Sequence, residues 1–285
     1  MKFSFWGVRG SIPSPGPLTA RYGGNTTCIE VRTASGALII LDAGTGIYAL
    51  GRALAPSGPV DADLLITHSH WDHIHGLPMF APLFRADTRL RLTGARDAHT
   101  GQGIEHVMQV QLQGSYFPVA EEAIAATIGY RTIAAGDVLD VADAVVTTVE
   151  MNHPVLNLGY RIASGGRTLF FSGDHEPFAQ PATGDTARRA AAIEAAVHGV
   201  DALIMDCSYT ESEYPARRGW GHGTFDAAFA LALRCHVKRL YCTHHEPGRS
   251  DAELEAVFAD VQQRFASQIG TLEVFLAAEG QTITL

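Results

Sequence analysis

Two kinds of apolar pattern alternate along the chain. CIEVRT (28–33) and ALIILDAG (37–44), joined through ASG, predict a β-hairpin, and ADLLIT (62–67) predicts the next strand. VADAVVTTVEMNH (141–153) predicts a strand, LGYRIASGGRTLFFSGD (158–174) a hairpin turning at SGG, and ALIMDCS (202–208) another strand. KRLYCTH, LEVFLAAEG and QTITL predict three more towards the C-terminus. Between them lie segments with helical character. HIHGLPMFAPLF (73–84) suits a short helix, and residues 99–113 carry no strand alternation and predict a longer one. ARRAAAIEAAVHG (187–199) and GTFDAAFALALRCH (223–236) are alanine-rich helical stretches, and ELEAVFADVQQRFASQ (253–268) is strongly periodic. Strand-rich and helix-bearing stretches thus alternate in both halves, which predicts a layered α/β fold with helices outside the sheets. No linker, charge block or low-complexity tract divides the chain, so residues 1–285 are expected to form one domain. The Pro/Gly-rich segment SIPSPGPLTARYGG (11–24) follows a first strand and is expected to be an ordered loop near a site.

Composition narrows the picture. A chain of 285 residues with 46% hydrophobic content can bury a substantial core without staples. Its formal charge of −9 argues against bulk electrostatic binding to nucleic acid, which needs basic patches. The N-terminal MKFSFWGVRG lacks the apolar stretch of a secretory signal, and no run approaches the length of a membrane span. Cys28, Cys207, Cys235 and Cys242 form no CxxC pair, which suits free thiols in a reducing cytoplasm.

The chemistry concentrates in THSHWDH (67–73), at the end of an apolar strand. Residues two apart in an extended chain point the same way, so His68 and His70 can face one metal ion. Asp72 and His73 follow as the chain turns and suit a second ion beside the first. Three imidazoles and a carboxylate packed this closely repel on protonation and cost desolvation unless a metal compensates. Further candidate ligands stand at the ends of other apolar strands: His153, Asp174 and His244. Strand ends along one edge of a sheet converge in space. His75, His99, His106, His198 and His236 are left as surface residues, while His175 and His245, next to proposed ligands, could orient them by hydrogen bonding.

These residues resemble the metallo-β-lactamase fold superfamily, whose HxHxDH signature THSHWDH matches. Within it the chain looks most like the phosphodiesterase branch of ribonuclease Z, cyclic-nucleotide phosphodiesterases and the cyclic-phosphate hydrolases of phosphonate breakdown. GVRGSIPSPGPLTARYGGNTTCIEV resembles that branch's opening strand–loop–strand, and GWGHGT (219–224) its GHST motif, with a hydroxyl missing. The resemblance implies an αββα sandwich of two mixed sheets flanked by helices. It implies one metal held by His68, His70 and His153, a second by Asp72, His73 and His244, and Asp174 bridging them. It also implies that His222 acts on the leaving group, with Asp206 as its carboxylate partner and Glu211 as a second candidate. The all-nitrogen and oxygen donor set suits two Zn²⁺ ions, and also Mn²⁺ or Fe.

Two metals roughly 3.5–4 Å apart would activate a bridging hydroxide for in-line attack on a phosphodiester. Asp72 would share in that catalysis, and His222 would protonate the leaving oxygen. The hairpin between His153 and Asp174 is too short for the long tRNA-gripping arm found in many ribonuclease Z proteins. The expected substrate is therefore a small or cyclic phosphodiester, such as a cyclic nucleotide or cyclic ribose phosphate. An acyl hydrolase of the lactonase or thioesterase kind is the alternative, and a metal-dependent sensor without turnover is a third. GWGHGT speaks against the acyl reading, and His70, where redox-active di-iron relatives carry Glu, against the sensor. A homodimer is an expectation from the resemblance. Trp71, Trp220, Tyr209 and Tyr22 are expected to pack at element ends, and Arg9 and Arg21 are candidates to contact phosphate.

Overall fold

In the computed structural model, which describes residues 1–97, 99–119, 121–180 and 182–285, the apolar runs are strands covered on both faces. One sheet contains β1 (Lys2–Gly7), β2 (Cys28–Arg32), β3 (Leu38–Leu41), β4 (Asp61–Ile66), β5 (Arg89–Ala95) and β6 (Thr127–Ile133). The other contains β7 (Val138–Val141), β8 (Ala144–Glu150), β9 (Leu158–Ser164), β10 (Arg167–Phe171), β11 (Ala202–Asp206), β12 (Arg239–Thr243) and β13 (Glu273–Leu276). A last strand, β14 (Thr282–Thr284), returns to the first sheet beside β1. The strand orders are β14-β1-β2-β3-β4-β5-β6 and β13-β12-β11-β10-β9-β8-β7. Both sheets are mixed: β3 to β6 run parallel beyond an antiparallel edge, and β10 to β13 do the same in the second sheet.

The layers follow from strand periodicity. Ile39 and Leu41 of β3 join the core between the sheets, while Leu38 and Ile40 face the helices. In β11, Ala202 and Ile204 face the other sheet, and Leu203 and Met205 face outward to helices. Such strands read as continuous hydrophobic runs because neither face meets water. The inter-sheet core is aromatic, with Phe3, Phe5, Tyr160, Phe171 and Tyr241 all buried. Helices α1 (Gly46–Leu54), α2 (Trp71–Ile74) and α3 (Glu105–Gln111) cover the first sheet. Helices α4 (Gly184–Val197), α5 (Phe225–Arg234) and α6 (Asp251–Phe265) cover the second. The αββα sandwich expected from the sequence is the observed architecture.

Some elements depart from the pattern. Of the strand expected over 141–153, residues 144–150 form β8, while Val141 ends β7 across a tight turn in which Ala142 has φ 53°. Asp143 is held out of the ladder there because its carboxylate accepts from Ser35 and Ser164. The helix expected over 99–113 is confined to Glu105–Gln111. Upstream, the Asp97 carboxylate takes the backbone N–H groups of His99 and Thr100, which competes with helical pairing. In HIHGLPMFAPLF a single α-helical turn gives way to two 3₁₀ turns, Leu77–Met79 and Ala81–Phe84, each with proline near its start. Helix α1, β5 and the largely exposed edge strand β6 lie outside the pattern reading altogether. The other helices are well capped: Ser250 and Glu253 form a capping box on α6, and Thr224 caps α5 by accepting the Ala227 N–H. All four cysteines are buried and free. Among the described residues no helix is long and apolar enough to cross a membrane.

Candidate metal centre and active site

Every predicted ligand lies just beyond one end of the strands, in a loop or on α2. Thr67 to His70 leave β4 and lead into α2, which carries Asp72 and His73. His153 follows β8, Asp174 follows β10, Asp206 ends β11 and His244 follows β12. Asp174 is the centre of the cluster. Its Oδ1 lies 3.1 Å from both His73 Nε2 and His244 Nε2. Its Oδ2 lies 3.5 Å from His68 Nε2 and 3.9 Å from His153 Nε2. Asp72 Oδ2 stands 3.3 Å from His73 Nε2 and 3.1 Å from His244 Nε2, and His70 Nδ1 stands 3.1 Å from His153 Nε2. His68, His73, Asp174 and His244 form a buried floor, and His70 stands at the open mouth.

The other ring nitrogens explain why the Nε2 atoms converge. The hydrogen-bond network assigns His73 Nδ1–H to Asp42 Oδ2 (2.7 Å), and His153 Nδ1–H to the Gly221 carbonyl (2.9 Å). Thr67 Oγ1 donates to Asp42 and so receives His68 Nδ1–H at 3.1 Å. Ser208 Oγ likewise donates to Asp206 Oδ1 and receives His244 Nδ1–H at 3.0 Å. With Nδ1–H committed, each of these four histidines turns an Nε2 lone pair inward. The sequence reading missed Asp42, Thr67 and Ser208 in these roles. The expectation that His175 and His245 orient the ligands is corrected, since their rings are engaged elsewhere. Nδ1 of His175 accepts the Asn152 N–H, and His245 Nε2 donates to the Ala277 carbonyl.

The site is also built into the backbone. Ser11 (φ 58°), Asp42 (φ 59°) and His244 (φ 58°) are non-glycine residues in the left-handed region, each costing about 1–2 kcal/mol. Such strain persists where surrounding contacts over-determine the geometry. Ser11 N–H donates to Asp72 Oδ2 at 2.8 Å, so the loop over 11–24 does reach the site. Gly10 packs so closely on His244 that a Cβ would sit 2.3 Å from its Nδ1. Glu176, also missed in the sequence, accepts from Tyr214 Oη, Gly219 N–H and Gly221 N–H, and so fixes the GWGHG loop.

Do these residues suit a metal ion? His68 Nε2, His73 Nε2 and Asp174 Oδ1 are buried without hydrogen-bond partners. A buried unsatisfied polar atom costs about 1–3 kcal/mol, which a coordinated cation would relieve. Three sets of donor atoms cluster within 4.8 Å: His68, His70, His153 and Asp174; Asp72, His73, Asp174 and His244; and Asp174, Asp206, His222 and His244. The field around the second set favours positive charge. Burial alone would lower the His73 pKa, but Asp174, Asp72 and Asp42 outweigh it and hold it well above the usual value. His244 is raised to about 9 against burial by Asp174, Asp206 and Asp72. In the first set burial dominates, and His68, His70 and His153 are pushed towards the neutral, ligating form. The residues fit two divalent cations.

Beside the cluster, His222 Nδ1 lies 3.1 Å from Asp206 Oδ2 and 3.7 Å from Asp174 Oδ2. Burial lowers its pKa, but Asp206 and Asp174 outweigh that and raise it. Glu211, the other candidate partner, instead accepts from the Thr224 hydroxyl at 2.6 Å. Arg9 does not reach the cleft. It is fully buried and donates to the carbonyls of Gly23, Glu246 and Arg249. Arg21 pairs with Glu255 on α6. Ser11, Ser69, His70, Trp71, Asp72, Asp174 and His222 line an open cleft of about 480 Å³. Tyr209 is buried as expected, but Trp71 and Trp220 are exposed rather than packed.

Residues 38–245 match the family described as a beta-lactamase superfamily domain. Ribonuclease BN of Cronobacter sakazakii is 25% identical over 311 aligned positions, covering 93% of this chain and 95% of that protein. Unliganded yeast PDE1 superposes with a TM-score of 0.71 at 17% identity, over 100% of this chain and 99% of its own. Zn²⁺-bound PqqB from Methylobacterium extorquens superposes with a TM-score of 0.70 at 18% identity, over 100% of both chains. The structural likenesses speak to the fold, whereas the family match covers well over half of the sequence and includes the strand ends from THSHWDH to His244. On that match, the chain belongs to the beta-lactamase superfamily.

Proposed function

We propose that this protein is a metal-dependent hydrolase of phosphodiesters, with a site for two divalent ions and a small substrate. The observation that carries the reading is the convergence of four inward-facing Nε2 atoms on Asp174, with buried donor atoms left unpartnered. His68, His70 and His153 would hold one ion, and Asp72, His73 and His244 the other, with Asp174 shared between them. Zn²⁺ suits these nitrogen and oxygen donors, as do Mn²⁺ and Fe. When bound, such ions supply Lewis-acid charge for phosphoryl oxygens and lower the pKa of water towards about 7.

The chain's own groups account for the rest. His222 is the proton donor to the leaving oxygen. Asp206 accepts its Nδ1–H and favours the protonated ring, so Nε2 is the atom that exchanges a proton with substrate. Asp206 is itself oriented by Ser208 Oγ–H and by the His175 N–H. The similarity to ribonuclease BN supports the bond type. The tight β9–β10 turn at Gly165–Gly166, the acidic balance and the size of the cleft support a small ester over a long nucleic acid. Hydrolysis of bis(p-nitrophenyl) phosphate, with metal content measured on the same sample, tests the reading. Two metals per chain with turnover are expected, and His222→Ala should lose about 10²–10⁴-fold in kcat while keeping both metals. Two metals with turnover only of lactones or thioesters would overturn the phosphodiester reading.

A further inference from the structure

Trp71 stands on the first turn of α2, between His70 and Asp72, and is 80% exposed. It lines the same cleft as Asp72, Asp174 and His222. Trp220, two residues before His222, is 61% exposed, and Ile12, next to Ser11, is 59% exposed. Other large apolar side chains are exposed, Tyr116 and Val138 among them, but these three differ in their chain neighbours. Each adjoins a segment whose backbone or side chains bind into the site. The cleft therefore has a polar, histidine-rich floor with the Trp71 indole among its lining groups. An indole left in water forgoes a large burial gain, and a flat ring beside a reaction centre offers a stacking face. The backbone of Trp71 is held beside that centre, because His70 and Asp72 on either side of it contact the cluster. A cleft of about 480 Å³ falls within the range of about 300–1,000 Å³ usual for small-ligand pockets.

Resting on the phosphodiesterase reading, we propose that Trp71 is a stacking platform for a nucleobase, so that the substrate class is nucleoside phosphodiesters rather than base-free sugar phosphates. The phosphate lies on the histidine floor and the base on the indole. Stacking is tolerant of base identity, so purines, with more ring area, bind better than pyrimidines without strict selection.

The test compares adenosine 2′,3′-cyclic phosphate with ethylene phosphate, a base-free cyclic diester, using the metal-loaded protein. Wild type should prefer the adenosine ester. Trp71→Ala should lower kcat/KM for it by about 5- to 150-fold, mainly through KM, and Trp71→Phe should recover most of the loss. The loss on ethylene phosphate should be at least fivefold smaller. Equal losses on both esters, or no preference in wild type, would overturn the proposal. A second readout is independent of turnover: adenosine 5′-monophosphate should quench the tryptophan fluorescence of Trp220→Phe protein, and not that of the Trp71→Ala, Trp220→Phe double variant. Trp71-dependent quenching without diester hydrolysis would sink the phosphodiesterase reading and leave the stacking site standing. Hydrolysis without base preference or quenching would do the reverse. Shielding of Trp71 from acrylamide that grows with protein concentration would assign the indole to a contact between copies, and would also overturn the proposal.

Discussion

The two sheets bring functional groups to the same edge by different means. The first does so with one unbroken segment, in which His68, His70, Asp72 and His73 follow a single strand end. The second contributes one residue from each of four strand ends: His153, Asp174, Asp206 and His244. In the first sheet, local backbone geometry sets the spacing of the groups, and a neighbouring strand end, Asp42, locks it by bonding Thr67 and His73 together. In the second, spacing depends on the register of β10, β11 and β12, which pair in parallel. Parallel register places the strand ends level, and Asp174 can then touch groups from both sheets. The contiguous half is thus a preset cluster of donor atoms, and the distributed half is the part that completes it.

Asp174 is where the comparison can be broken most severely. Asp174→Asn should abolish stable binding of both metals and lower diesterase turnover by about 10³-fold or more, seen by metal analysis and kinetics together. Retention of one tightly bound metal would mean that the contiguous half works without its partner. Next comes Asp42→Asn, which removes the acceptor for His73 Nδ1–H and weakens the hold on Thr67. It should reduce metal affinity about 10- to 100-fold, measured by competition with a chelator. A smaller effect is expected at Glu176→Gln, in the distributed half. An amide keeps one acceptor oxygen, so its NH₂ would face the N–H of either Gly219, now on Oε1, or Gly221, now on Oε2, loosening the loop that carries His222. About tenfold lower kcat with little change in KM or metal content is expected, consistent with one mispaired buried group. Smallest of all is Arg21→Ala. The Arg21–Glu255 pair is exposed, so its loss should move Tm by less than about 2 °C and leave turnover unchanged.

The candidate ligands were legible because chemistry and position coincided. Each stands just beyond an apolar strand, and clustering of imidazoles has few explanations other than a metal. The groups that aim them were not legible. Asp42 in LDAG looks like any acid closing a strand, and only its left-handed backbone and its contact with His73 mark it out. Glu176 follows Asp174 by two residues, yet its three donors come from 214–221. Ser208 is an ordinary serine until β11 and β12 pair. Exposure was equally hidden. An aromatic at the start of a helix is usually packed, and nothing local to Trp71 or Trp220 says that the surface curves away from them. Arg9 erred in the other direction, since a charged residue in a glycine-rich loop turned out to be a fully buried clamp on three carbonyls.

By itself the sequence determined the alternation of strands and helices, the two-sided burial of the central strands and the identity of the candidate ligands. Those follow from side-chain period and donor chemistry, which are local. Tertiary structure alone decided which nitrogen of each histidine faces inward, which carboxylate partners His222 and which aromatics stay in water. Each of those depends on a hydrogen bond or a packing contact between residues far apart in the chain, and such contacts exist only once the two sheets have closed on one another.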